Sequence, residues 1–482
     1  MKMLTHIILV VALLTTVSNA QTPETVSGTR AYVKGLAAFE QKDYGKSIQL
    51  LLEAKDKLGN IAGLDYALAD TYYAMEDLPN AALYGPTASS YLSKFRNFEA
   101  RGSRDSAVAQ LEHLRDIDPD DLNTLNLLSD YYASSGKDES AKRVLTDALE
   151  RNARDPKSLI SLAGIYIEEQ KWDSAGVLIR TFLTDKIILP EQKLSVAQFL
   201  YTKQQDSPLN EELRKQTSLA LESYTNSAND YGPAFTLSGQ YFARIGDISS
   251  ALEKLEKGTE LLPEDDIAWR LRLQLLLSED RLEEAIEAGK KANTFVPEDA
   301  FIQFFVGSAY LLSEKSEQAI PWLEQASRAP ARRPFKSVVY STLGDAQGDV
   351  GNTEEADRVY ELSLRYDSEN HNAMNNYAYN LAVRGENLDR AKELALKAME
   401  LAPENAAYLD TVGWVFFKLN EYEKARKFIK ASIDLDESLA GAEVLEHLGD
   451  VYDKLNQADQ AQKWWKLAYE KDPSRTHLKK KI

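Results

Sequence analysis

Cysteine is absent from all 482 residues. That absence removes disulfides, zinc–cysteine sites and thiol chemistry, and it removes the lipid anchor that an exported chain attaches to a cysteine behind its leader. Stability must therefore come from packing. Histidine is scarce: His6, His113, His371, His447 and His477 stand singly, with no HExxH pair, so no metal and no cofactor is expected. The GxSxG and GxGxxG fingerprints of common hydrolases and dinucleotide binders are missing too. So is any bounded run of period-two alternation, which argues against a sheet. The apolar run from Ile7 to Leu14 is far short of the ~20 residues that span a bilayer, and nothing later approaches that length. No integral span is expected once a leader is removed. Positive charge is in deficit, with 57 Lys and Arg against 75 Asp and Glu and a net charge of −18. Such a chain is a poor general binder of nucleic acid or anionic membrane, and no nucleic-acid partner is expected.

What is present begins with a leader. Lys2, the Ile7–Leu14 run and the small residues Ser18 and Ala20 have the order of a signal peptide cleaved after Ala20. Residues 1–20 are thus read as a signal and 21–27 as a short linker. The mature chain is expected in a periplasm or outside the cell.

The body is organised by one repeating pattern, cleanest at residues 406–441. Taking Asn405 as the preceding linker residue, Gly413 occupies place eight, Phe416 eleven, Tyr422 seventeen, Ala425 twenty, Ile429 twenty-four and Ser432 twenty-seven. Apolar places recur three and four apart on both sides of the Lys418–Tyr422 turn, the spacing of one buried face on each of two helices. Gly413 and Ala425 let the two backbones approach. This stretch resembles the tetratricopeptide repeat, whose small and aromatic residues recur on a 34-residue period. The resemblance implies an all-α superhelix of stacked helical hairpins and a protein-binding role.

Place twenty serves as a ruler along the chain: Ser47, Ala81, Ala107, Ala141, Ala175, Ala251, Ala285, Ala319, Ala356, Ala391, Ala425 and Ala461. Most intervals equal 34, and about thirteen hairpins fit. Pro119, Pro263, Pro297, Pro403 and Pro473 each fall twelve residues after a ruler alanine, where a second helix should stop. Gly102, Gly136, Gly246, Gly351 and Gly385 fall in the turn inside a hairpin. Two intervals deviate strongly. One of 26 coincides with Gly85-Pro86 and predicts a shortened helix, with a discontinuity near Leu83 to Ser89. One of 76 holds an atypical unit with a helix over Glu191–Tyr201 and a longer one over Leu213–Asn229, in which Ala220 takes place twenty. The expected layout is an N-terminal array at 28–189, the atypical unit at 190–231, a C-terminal array at 232–475 and a basic tail at 476–482. The tail is too short for a long closing helix but long enough for one amphipathic turn through Leu478 and Ile482.

Several local motifs resolve into structure. Gly45-Lys46-Ser47 looks like the end of a phosphate loop, but Glu40 stands where the first glycine belongs. Asp116, Asp118, Asp120 and Asp121 suggest half a calcium loop, yet Asp121 and Leu127 replace the required Gly and Glu. These acids read instead as an inter-repeat linker that caps the next helix, as do those at 263–266 and 403–405.

The remaining candidates are surfaces. The resemblance implies that partners lie along the concave face, at places two, five, nine, twelve and thirteen of each first helix. Carried over residue by residue, these places give Asn372, Asn375, Tyr379, Ala382 and Val383, then Ala407, Asp410, Trp414, Phe417 and Lys418, then Glu443, Glu446, Asp450, Asp453 and Lys454. Asn375, Tyr379, Asp410, Trp414, Phe417, Lys418 and Asp450 are the leading contact candidates. The competing reading gives the asparagines and rings a purely inter-repeat packing role. The lysine-rich carboxylate clamp of some family members is not matched. Phe301 and Phe304, with Leu311 and Leu312, form a second apolar strip if exposed. The basic loop of Arg328, Arg332, Arg333 and Lys336 stands out in an acidic chain and reads as a solvated linker.

Signal, array and lack of catalytic motifs point to a non-enzymatic envelope scaffold or adaptor that binds protein or peptide. One alternative is an enzyme or enzyme subunit acting on envelope glycan or peptide, using Glu191, Asp206, Glu211 or Glu212 of the atypical unit. Another is a structural protein that self-associates through an uncapped C-terminal repeat.

Overall fold

The computed structural model describes residues 23–59, 62–85, 88–435 and 440–482. The signal reading, residues 21–22 of the linker, and Pro86 fall outside them. Among the described residues the chain forms twenty-six α-helices, one short 3-10 helix and no strand. It divides into two compact units, one ending at Asn229 and the other spanning Asp230–Ile482.

The first unit contains α1 (Pro23–Glu40), α2 (Tyr44–Leu58), α3 (Ala62–Ala74), α4 (Leu78–Leu83), α5 (Ala88–Ala100), α6 (Arg104–Ile117), α7 (Leu122–Ser134), α8 (Asp138–Arg151), α9 (Pro156–Glu168), α10 (Trp172–Leu183), α11 (Pro190–Asp206) and α12 (Glu211–Ser227). The second contains α13 (Gly232–Arg244), α14 (Ile248–Leu261), α15 (Asp266–Ser278), α16 (Leu282–Phe295), α17 (Ala300–Leu312), α18 (Ser316–Arg328), α19 (Arg333–Asp349), α20 (Thr353–Tyr366), α21 (His371–Arg384), α22 (Leu388–Leu401), α23 (Ala406–Lys418), α24 (Tyr422–Leu435), α25 (Ala442–Lys454) and α26 (Ala458–Lys471). Taken in pairs they are thirteen helical hairpins, the architecture that the repeat pattern implies.

Sequence explains where the helices begin and how a hairpin closes. Linker Asp and Asn side chains cap the helix that follows: Asp121 accepts from the amides of Asn123 and Thr124, Asp265 from Ala268, and Asn405 from Ala407 and Tyr408. The ruler residues mark the closest approach of the two helices, and every one is buried, from Ser47 and Ala425 at 0% exposure to Ala81 at 5%. Opposite Ala425 stands Gly413, where a Cβ would lie 2.4 Å from Ile429 Cγ1 and 3.0 Å from the Ile429 amide nitrogen. Only a hydrogen fits there. Asn420 takes the left-handed turn residue of that hairpin, with φ of 62°, where other hairpins use glycine.

Both strong deviations from the period have structural counterparts. In the second hairpin α4 is only six residues long and is followed by Gly85 at φ 97°. In the sixth hairpin α11 runs to Asp206, five residues beyond the expected Tyr201, because Ser207-Pro208 and not the glutamines ends it. Its partner α12 packs against α10 of the preceding hairpin as well as against α11. Ala220 is fully buried in that packing.

Within the second unit each first helix touches the first helix of the next hairpin, and consecutive second helices approach less closely. The first helices therefore line the inside of this unit's curve. Its C-terminus folds back as a 3-10 turn over Thr476–Lys480, with Leu478 fully buried and Ile482 exposed. No helix among the described residues is long and apolar enough to cross a membrane.

Candidate partner-binding surface

Helices α21, α23 and α25 present their inner faces side by side. The Tyr379 hydroxyl on α21 donates to Glu443 Oε1 on α25 at 2.5 Å, reaching past α23. Burial, reinforced by that carboxylate, pushes the phenol far above its ordinary range. On α23 the Trp414 indole is sandwiched between two rings. It stacks on His447 of α25 at 3.9 Å and 16°, and on Phe417 at 4.7 Å and 7°. His447 is oriented by Asp410, whose Oδ2 lies 3.0 Å from Nδ1. Lys418 Nζ sits 5.2 Å over the Trp414 ring and donates to the Val383 carbonyl at 3.1 Å. Trp414 and Phe417 remain half-buried, and the Trp414 Nε1 proton has no hydrogen-bond partner.

The other candidates divide differently. Asn375 and Asp410 are buried, at 9% and 6% exposure, so both are packing residues in this arrangement. The Asn375 amide donates to Asn376 Oδ1 at 3.3 Å while its own oxygen is unpaired. Asp450 accepts from Trp465 Nε1 at 2.8 Å and from Lys481 Nζ at 2.7 Å. Glu446 beside it accepts from Arg475 at 2.7 Å and lies 2.8 Å from His477 Nε2. Burial alone would raise the Glu446 carboxyl, but His477, Arg475 and Lys481 hold it below the usual carboxylate range. The acids on the last inner face are thus satisfied by the chain's own tail, and the end of the array is covered by Leu478.

The second apolar strip lies on α17. Phe301 is 36% exposed and Leu312 61%. Phe301 stacks on Phe335 at 4.0 Å and 23°, and Phe304 meets the same ring edge-on at 5.3 Å. Arg270 Cζ lies 4.9 Å from the Phe301 centroid, its charge paired with Asp299 and Asp266. Sequence reasoning missed Phe335, which stands before place two of its own helix. The signal was the 37-residue interval from Ala319 to Ala356, three residues over the period.

In the atypical hairpin Glu191, Asp206 and Glu211 are exposed, and Glu212 is bound to Gln216 at 2.8 Å and Lys215 at 3.4 Å. They converge on no common point.

Residues 236–300 and 406–439 each match the sequence profile of the tetratricopeptide repeat. A tetratricopeptide-repeat-containing protein of Pseudomonas aeruginosa is 26% identical over 192 residues, which is 39% of this chain and 31% of that protein. A BBSome complex member of Bos taurus is 26% identical over 280 residues, 53% of each chain. The match thus spans about a third of the first relative's length and about half of the second's. Among solved structures, the Cut9–Hcn1 hetero-tetramer of the APC/C aligns over 96% of both chains at 14% identity, with a TM-score of 0.44. Stacked helical hairpins with small residues at their closest approach define the class. The chain carries tetratricopeptide repeats at residues 236–300 and 406–439 within a stack of helical hairpins.

Proposed function

We propose that this protein is an exported, non-enzymatic scaffold of the cell envelope that holds a partner protein or peptide on the inner face of its last three hairpins. The observation that carries the reading is the His447–Trp414–Phe417 stack, in which a buried His447 braced by Asp410 backs the partly accessible rings of Trp414 and Phe417, with Lys418 over Trp414. Rings held in this way offer contact area without losing side-chain freedom on binding. The repeat fold commonly serves protein–protein interaction, and the acidic charge favours a protein partner over nucleic acid. Export rests on the leader read from residues 1–20.

A photo-crosslinking residue at position 418, introduced in the protein's own cell, is expected to trap a defined partner in the envelope fraction. The Trp414→Ala/Phe417→Ala double variant should lose that adduct while keeping its helical spectrum. An unchanged adduct in the double variant, or recovery of the chain in the cytoplasmic fraction, overturns the corresponding part of the proposal.

A further inference from the structure

The outer helices of the last two hairpins carry the opposite charge to the chain as a whole. Helices α24 and α26 and the tail, residues 422–435 and 458–482, hold eleven Lys and Arg against five Asp and Glu, in a chain with 18 excess negative charges. Between them α25 has the reverse balance, four acids to one lysine. The two signs are thus segregated, acids on the inner helix and cations on the outer ones. Three of the five outer acids are already occupied, Glu423 by Arg426, Glu470 by Lys466 and Asp472 by Arg475. Lys427, Lys430, Lys463, Lys479 and Lys480 are exposed and have no ion-pair partner among the described residues.

The repeat sets these cations in a layer. Lys427 and Lys463 each stand two residues after a ruler alanine, Ala425 and Ala461, so they recur at the same place on neighbouring outer helices. Lys430 and Lys466 recur likewise three residues on, and both pairs lie on the side of their helix away from its buried residues. Lys427 lies 5.7 Å over the Phe428 ring and Lys463 5.4 Å over Trp464, while Lys479 lies 5.5 Å over Tyr469 and so joins the tail to the layer. Each stem covers a partly buried ring and leaves its charge in water. Leu467 and Ile482 stand among these cations at 37% and 43% exposure.

We propose that this outer face docks on an anionic lipid surface, with its lysines at the phosphates and Leu467 and Ile482 at the apolar boundary beneath them. The net charge of the chain does not oppose this, because exposed charges more than about 8 Å away are largely screened at physiological salt. Cations spread over two helices and a turn match a plane of phosphates, whereas a nucleic-acid strand needs them along one groove. Lysines laid over rings and interleaved with apolar tips suit a headgroup layer, which is wet on one side and apolar on the other. A second copy of the chain fits less well, since Glu446 and Asp450 of its α25 are held by its own Arg475 and Lys481.

The test is co-sedimentation of the chain from Gln21 onward, so that the apolar leader does not itself bind lipid, with vesicles of phosphatidylglycerol and phosphatidylethanolamine or of phosphatidylcholine alone. Saturable binding to the anionic vesicles that weakens with added salt is expected, with little binding to the neutral ones. One lysine near such a surface changes the partition about fivefold, so Lys427→Glu/Lys430→Glu/Lys463→Glu should weaken it on the order of a hundredfold. The glutamine triple variant, which adds no repulsion, should weaken it in the same direction and keeps the test readable if the reversal disturbs folding. Lys257→Glu/Lys291→Glu/Lys315→Glu makes the same change in net charge elsewhere in the unit and should weaken it far less. Leu467→Ser should weaken it as well. Trp414→Ala/Phe417→Ala should leave it unchanged, which separates this face from the aromatic stack. No binding to anionic vesicles, equal losses in the two charge-reversed variants, displacement from the vesicles by an oligothymidylate, or sedimentation without vesicles that the reversal abolishes would each overturn the proposal.

Discussion

At the scale of the residue, the most demanding position in the chain is the meeting point of Gly413 and Ala425. Ala425 is fully buried, and Gly413 has the Ala425 carbonyl and the Ile429 amide against its missing side chain. Ala425→Phe should overpack this junction and lower stability by about 1–3 kcal/mol, read as a lower urea midpoint. An unchanged midpoint would mean that place twenty is not where the helices meet. A second residue-scale consequence concerns Asp345 on α19. Burial raises its carboxyl to about 6, against hydrogen bonds from Tyr360 and Asn376 that favour the charged form. The folded state therefore holds this proton more tightly than the unfolded chain. Its contribution to stability is fully present below about pH 4 and is lost as pH rises through about 6, with little further change above about pH 7. Asp345→Asn removes that loss, so the variant should gain on the native protein by on the order of 2–3 kcal/mol between pH 4 and pH 7. Other carboxylates titrate alike in both proteins and cancel. A pH-independent difference between the two urea midpoints would refute this.

Elements show how far the sequence was legible. The ruler placed twelve hairpins, and Ala220 the thirteenth inside the long interval, because a residue at closest approach must be small, and smallness is visible in the letters. Linker Asp and Asn residues announced the caps for the same reason: Asp121, Asp265 and Asn405 need only a free amide two or three residues ahead. What neighbouring helices cover was not visible. Asn375 and Asp410 stand at outward places, yet the helices on either side bury them. His447 stands at place six, which points to no surface in the pattern, yet it completes the aromatic stack. The tail was under-read as well. Removing residues 476–482 would uncover the space filled by Leu478, take Lys481 from Asp450 and leave Glu446 with Arg475 alone. A loss of about 2–4 kcal/mol is expected, in the range for a buried leucine and broken ion pairs. A melting temperature equal to that of the full chain would show that the tail does not close the array.

For the whole molecule, stability is a sum of neighbouring contacts. In the second unit the helices of each hairpin pack on those of the hairpin beside it, and the Tyr379–Glu443 bond reaches one hairpin further. The Ala425→Phe variant should therefore exchange its amides faster in hairpins eleven to thirteen while hairpins seven and eight keep their protection, as hydrogen exchange with mass spectrometry would read. A uniform loss of protection would mean that the unit melts as a single cooperative body.

The short reach of these contacts sets how this unit bears a load. A scaffold anchored at one end and gripped at the other by a moving partner carries tension along its stack. With packing between near neighbours, it can yield one hairpin at a time and rewind as the load falls. Each unravelled hairpin releases about 34 residues, roughly 110 Å of extended chain. A stack of this kind lengthens under load in steps of one hairpin.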